Sequence, residues 1–185
     1  MAKALAITPA RDHEGLAAAA GERAGALFQS GRMLCAPAVL VALNRALGGG
    51  LDDALARRLT SGLAEGMAGA GCVCGALGGA QLALGLFLGE PKGFRRKALP
   101  PARELHDRFC ELFGASCCRV LSRKVKHDPK AHLRQCADIT ARTAQEAARI
   151  ILARRPALAE GAEGYSPAQR GGRLASGVRR LFGAG

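Results

Sequence analysis

Apolar residues recur with helical spacing along most of this chain, and breaker residues punctuate the runs. The pattern predicts a helix over 11–30, ended by Gly31, and a second over 35–47, where Pro37 suits a first turn and Gly48 to Gly50 stop it. A third helix is expected over 51–65, its opening Asp52 and Asp53 well placed at the positive end of the helix dipole. The glycine-rich stretch 66–73 then turns the chain into an apolar helix over 74–89. Pro100 and Pro101 start a fifth helix that runs to Gly114, with Leu105, Phe109, Leu112 and Phe113 on one side. Ser116 is positioned to cap a short helix that begins with Cys117 and Cys118. The longest pattern covers about 130–153. There Leu133, Cys136, Thr140, Ala144, Ala147 and Ile151 share an inward face, and Arg134, Asp138, Arg142 and Glu146 form an outer ladder of alternating charge. Cys136 is therefore expected to face inward. Beyond Pro156 the periodicity fails, and Gly, Pro, Ser, Ala and Arg dominate.

These elements predict an all-α, single-domain bundle of about six helices over residues 1–155, followed by a flexible basic tail over 156–185. Composition agrees. With 185 residues and 49% hydrophobic content the chain can bury one core, and with only 4% aromatics its packing must rest on alanine, leucine and small residues. Small residues favour closely approaching helices over sheets.

From Gly71 to Gly89 there is no charge and only Gln81 is strongly polar, a length that approaches a membrane span. Gly75 and Gly79 have the spacing of tight helix pairs in bilayers. Six glycines in the stretch weaken that reading, and an all-round apolar helix suits the centre of a soluble bundle or a homodimer contact. Seven cysteines without a visible secretory leader argue for a reducing compartment, so the expected location is cytoplasmic.

The chemistry is carried by sulfur. Cys35, Cys74 and Cys118 each fall near the start of a predicted helix, where unpaired N–H groups and the dipole favour a thiolate. Cys136, inward on the long helix, is a candidate fourth member. Free cysteine also packs as a small hydrophobe, and that alternative applies to any one of the seven.

Cys35 in Arg32-Met33-Leu34-Cys35-Ala36-Pro37, the run Cys74-Gly75-Ala76-Leu77-Gly78-Gly79, the segment Phe113-Gly114-Ala115-Ser116-Cys117-Cys118-Arg119 and Cys136 make a recognisable series. In this series the chain resembles the C_GCAxxG_C_C family over about residues 20–153. That family is known as small, helical, cysteine-containing proteins described as redox-active, often in settings linked to oxidoreductases or transporters. The resemblance implies a redox or metal centre at Cys35, Cys74, Cys118 and Cys136, with Gly75 and Gly79 leaving room beside it. Cys72, Cys110 and Cys117 depart from the family series. Cys118 fits the third family position better than its neighbour Cys117.

Three chemistries use converging sulfurs: an iron-sulfur cluster, a zinc site, or a dithiol relay. No Cys-x-x-Cys is present, and dispersed ligands on separate helices suit a group held in a bundle core. His132 lies four residues before Cys136 and His106 four before Cys110, so each pair shares a helix face, and His132 is a candidate additional ligand.

Charge adds an asymmetry. Between Lys92 and Arg134 there are twelve Lys/Arg and four Asp/Glu, within a chain of net charge +12. A basic surround would depress thiol pKa values and dock an acidic electron-transfer partner. A nucleic-acid-binding alternative draws on the tail arginines Arg170, Arg173, Arg179 and Arg180, but Tyr165 is the one tyrosine and stacking platforms are missing. No nucleophile elbow, phosphate-binding loop or HExxH pair is found, and Glu65, Glu90 and Glu111 read as isolated carboxylates. The sequence thus leads to a redox-active or metal-binding helical protein serving electron transfer, with a structural zinc or adaptor protein as the alternative.

Overall fold

The computed structural model describes residues 12–90 and 98–160. The N-terminal residues, the whole Lys92–Lys97 basic run and the predicted tail beyond 160 lie outside the described residues. Six helices of eight or more residues form the body: α1 (His13–Gln29), α2 (Cys35–Ala46), α3 (Asp53–Thr60), α5 (Gly75–Leu88), α6 (Leu99–Phe113) and α8 (Pro129–Arg154). Two shorter elements, α4 (Ala64–Met67) and α7 (Cys118–Ser122), join 3-10 turns at Ser61–Leu63 and Pro156–Ala159, and no strand occurs among the described residues. The protein is all-α, as the periodicity indicated.

The central element is α2, with Ala36 to Asn44 buried without a break. It packs on α1, α3, α5 and α8. The apolar helix α5 lies beside it, leaving Leu82 and Leu86 on the surface. Small residues let the backbones close up. A Cβ on Gly21 of α1 would stand 2.8 Å from the Ala141 carbonyl of α8, and one on Gly79 of α5 would collide with the Ala36 carbonyl of α2. The Gly75/Gly79 face is thus occupied within the chain. Among the described residues no helix is long and apolar enough to cross a membrane.

Buried polar groups are paired where they set geometry. Asn44 donates to the Leu51 carbonyl at 2.7 Å and accepts from the Leu51 N–H at 3.0 Å, fixing the loop after α2. Asp52 caps α3 through Leu55 N–H at 3.0 Å, and Asp128 caps α8 through Lys130 and Ala131 N–H. Leu105 and Phe109 bury α6, and Arg108 bridges to Glu146 of α8 at 3.0 Å.

Several expectations need correction. Helix α3 stops at Thr60, and Glu65 to Ala68 form a turn in the left-handed region, with φ of 56° at Glu65 and 73° at Gly66. Ser116 does not cap α7: Cys117 holds the cap position and makes no side-chain cap bond. Leu133 is 44% exposed, because the buried face of α8 begins only at Ile139 and its first turns project beyond the core. Leu112 likewise reaches solvent from the end of α6. The start of the expected tail, Pro156–Ala159, is a 3-10 turn whose Ala159 is buried.

Candidate redox site

The four family-type cysteines arrive from four elements. Cys35 is the first residue of α2, Cys74 holds the position just before α5 without a side-chain cap bond, Cys118 opens α7, and Cys136 lies on α8. Together with Ala76, Leu121, Ser122, Gln135, Ile139 and Thr140 they line one small cavity of about 30 Å³. The packing explains the convergence. A Cβ on Gly75 would stand 2.5 Å from Cys35 Sγ, so the missing side chain is what admits that sulfur beside Cys74. A Cβ on Gly66, at its positive φ of 73°, would stand 2.6 Å from Cys118 Cβ. The stretch carrying Cys74 is held against the one carrying Cys118 by Cys74 N–H to Ser116 O at 2.7 Å and Arg119 N–H to Gly71 O at 3.1 Å.

The sulfurs sense one another electrostatically. Cys74 feels Cys35 and Cys118, and Cys136 feels Cys118, Cys35 and Cys74. Each thiol is nonetheless pushed up from the ordinary value, opposite to the helix-start expectation. Burial is the dominant cause at all four, raising Cys74 to about 11 and Cys136 to about 12. Backbone N–H groups act in the expected direction but are outweighed: those of Glu65, Ala36 and Cys35 itself at Cys35, and those of Leu77 and Ala76 at Cys74. The Glu65 carboxylate adds to the rise at Cys35 and Cys118. Reduced and without a bound group, the centre holds neutral thiols at neutral pH.

Two site residues escaped sequence reasoning. Glu65, read there as isolated, brings its backbone N–H to Cys35 through the left-handed turn, and the cluster Gly66, Gly69 and Gly71 was the available signal for a special backbone. Thr140, read only as a face residue, is fully buried at the cavity and its hydroxyl has no hydrogen-bond partner. Thr143, one turn on, donates to the Ile139 carbonyl in the usual way. An orphan buried hydroxyl costs roughly 1–3 kcal/mol, and this one stands beside four sulfurs.

A wider cleft of about 490 Å³ adjoins the cavity and is lined by Cys35, Cys118, Cys136, Glu65, Arg119 and His132 among others. His132 is thus placed on the approach to the sulfurs. Among the described residues no group of three or more His, Cys, Asp or Glu side chains is arranged to hold a metal ion. Gly75 and Gly79 serve the packing of α5 on α2, with Gly75 alone touching a sulfur.

The remaining cysteines form an outer group. Cys72 Sγ and Cys117 Sγ are 3.5 Å apart, and Cys117 also feels Cys110. Cys110 Sγ stands 3.8 Å from His106 Nε2, whose Nδ1 is 3.1 Å from Asp107. All seven cysteines are free thiols.

A helical bundle with four sulfurs around one cavity defines a cysteine-centred protein class. The family model described as "Putative redox-active protein (C_GCAxxG_C_C)" matches residues 33–150, and the chain belongs to that family. An uncharacterized protein of Archaeoglobus fulgidus is 29% identical over 121 residues, spanning 60% of this chain and 80% of its own length. No solved structure matches.

Proposed function

We propose that Cys35, Cys74, Cys118 and Cys136 form a thiol–disulfide redox centre that exchanges electron pairs with a disulfide-bearing partner. The carrying observation is that four elements deliver these sulfurs to the wall of one small cavity. Cys35 is the nucleophile of the set: it borders the open cleft, three backbone N–H groups favour its thiolate, and its charge is felt by each of the other three sulfurs. In the forward direction the Cys35 thiolate attacks the partner's disulfide and releases one partner thiol. A second thiol of the set then gives up its proton and attacks Cys35 Sγ, releasing the other. Two electrons and two protons pass to the partner, and the high thiol pKa values keep the reduced form inert until a partner arrives. The Thr140 hydroxyl is the polar group free to donate to a thiolate forming in the cavity.

A bound metal or iron-sulfur cluster is the second reading: the cavity wall carries four sulfurs and no charged side chain, but the sulfurs as placed do not form a ready-made ligand set and would have to draw together around the group. A cation there would stabilise the thiolates by its charge and offset the burial that holds these thiols neutral. Oxygen-free purification with metal and labile-sulfide analysis separates the two. Metal-free protein in which Cys35, Cys74, Cys118 and Cys136, followed by peptide mapping, are lost in pairs under glutathione disulfide and recovered with dithiothreitol supports the dithiol centre. Stoichiometric iron and sulfide, or zinc with no reversible loss of thiols among these four, rejects it.

A further inference from the structure

Outside the four-sulfur cavity, Cys72 and Cys117 make a second sulfur pair at the surface. They come from stretches far apart in sequence, 45 positions, yet their Sγ atoms are 3.5 Å from each other. The backbone explains why. Residues 71–74 and 116–119 run antiparallel, tied by Arg119 N–H to Gly71 O on one side and Cys74 N–H to Ser116 O on the other, and both cysteines fall between these bonds. A sulfur–sulfur bond needs about 2.05 Å, so closure asks for side-chain motion of order 1.5 Å with the backbone already set. Cys72 is exposed and Cys117 half-buried, which separates a sulfur that meets solvent from one that stands behind it. The cation sensed by Cys117 is Arg119, which also lines the wide cleft.

We propose that Cys72 and Cys117 are a second, independent dithiol site at which the protein exchanges with a disulfide-bearing acceptor, Cys72 attacking and Cys117 resolving. The step balances without the inner centre. The Cys72 thiolate attacks one sulfur of the acceptor disulfide, that bond breaks, and the departing thiolate takes up a proton. Cys117 then loses its proton to solvent and its sulfur attacks Cys72 Sγ. The mixed disulfide breaks, the second acceptor thiolate leaves and is protonated, and a Cys72–Cys117 bond remains. The protein has lost two electrons and two protons, and the acceptor has become two thiols. This holds whether the inner four sulfurs work as thiols or bind a metal. Such closure would also clamp together the two stretches that carry Cys74 and Cys118.

The test uses the full chain, fully reduced, with glutathione disulfide as the probe at one equivalent, followed by acid quench, alkylation and peptide mapping. The first bridge is expected between Cys72 and Cys117, with Cys35, Cys74, Cys118 and Cys136 still alkylated. Cys117→Ser is expected to trap glutathione on Cys72, and Cys72→Ser to slow consumption of the first equivalent by about tenfold or more. Both positions are solvent-accessible, and the wild-type map needs no variant. A first bridge among the inner four, a first adduct on Cys110, or Cys72 still alkylated after the probe is consumed would each overturn the proposal. The metal and sulfide content of the inner site leaves these outcomes unchanged, so the two proposals fail separately.

Discussion

Replacing Gly75 with alanine tests the packing that brings Cys35 to Cys74, and Gly85 in the same helix supplies its control. Both residues lie in α5, where glycine-to-alanine gains up to about 1 kcal/mol of helix propensity, less at the first position that Gly75 occupies. Their surroundings differ. The new Cβ at Gly75 would stand 2.5 Å from Cys35 Sγ and 2.8 Å from the Leu63 carbonyl, while nothing lies within 4 Å at Gly85. The sulfur can swing, but the carbonyl is backbone, and overpacking of this kind costs about 1–3 kcal/mol. Gly85→Ala should therefore gain roughly 0.5–1 kcal/mol and Gly75→Ala lose roughly 1–2 kcal/mol. In urea this separates the two midpoints by on the order of 1 M. Alkylation of Cys35, followed by mass spectrometry, should accelerate in Gly75→Ala alone as its sulfur is displaced toward the cleft. If both substitutions stabilise the protein equally, Cys35 is not lodged against Gly75 and the site geometry argued above is wrong.

Further expectations concern the same sulfurs. Burial lifts Cys74 from its ordinary 9.0 to about 11, so the unfolded chain releases that proton first. The stabilisation is intact below pH 9 and is lost as pH rises towards 11, by up to about 3 kcal/mol for this group. Urea midpoints should fall across that range in the wild type and less steeply in Cys74→Ala; an equal slope in both refutes the assignment. Thr140→Val removes an unpaired buried hydroxyl at near-constant shape, so the reduced, metal-free protein should keep its stability or gain about 1 kcal/mol. A loss of more than 1 kcal/mol in the reduced form would show that the hydroxyl is satisfied. A Cys72–Cys117 bond would close a loop spanning 45 positions and add up to about 4 kcal/mol by loop entropy. Unfolding of protein oxidised with one equivalent of glutathione disulfide, with and without dithiothreitol, measures this for the first bridge, and the gain should be absent in Cys72→Ser treated alike.

The helices were readable because their punctuation is local. Proline and glycine mark the starts and ends of α2, α5 and α6, and the face of α8 from Thr140 to Ile151 repeats at a strict helical spacing. The placement of Cys35, Cys74 and Cys118 at helix starts followed from the same signals. What the pattern could not contain were quantities set by tertiary packing. The thiol pKa direction depends on how much water the bundle excludes, and that burial outweighs the N–H groups a helix start offers. Glu65, Gly66, Met67 and Ala68 all adopt left-handed φ although only Gly66 among them favours it, because α4 is shaped by what it packs against. Leu133 satisfies the periodicity of α8, yet it stands before the buried face begins at Ile139 and is left 44% exposed. The meeting of Cys72 with Cys117 depends on an antiparallel contact between two loops that have no strand signature.

Central to the account is that Cys35, Cys74, Cys118 and Cys136 share one cavity, and a chain in which Cys72, Cys110 and Cys117 are all serine tests this without interference. Glutathione disulfide in excess, added to the monomeric reduced protein at low concentration, should convert the four remaining thiols into intramolecular bridges drawn only from this set, reversible with dithiothreitol. Four glutathione adducts that never resolve, or bridges that form only between chains, would contradict it.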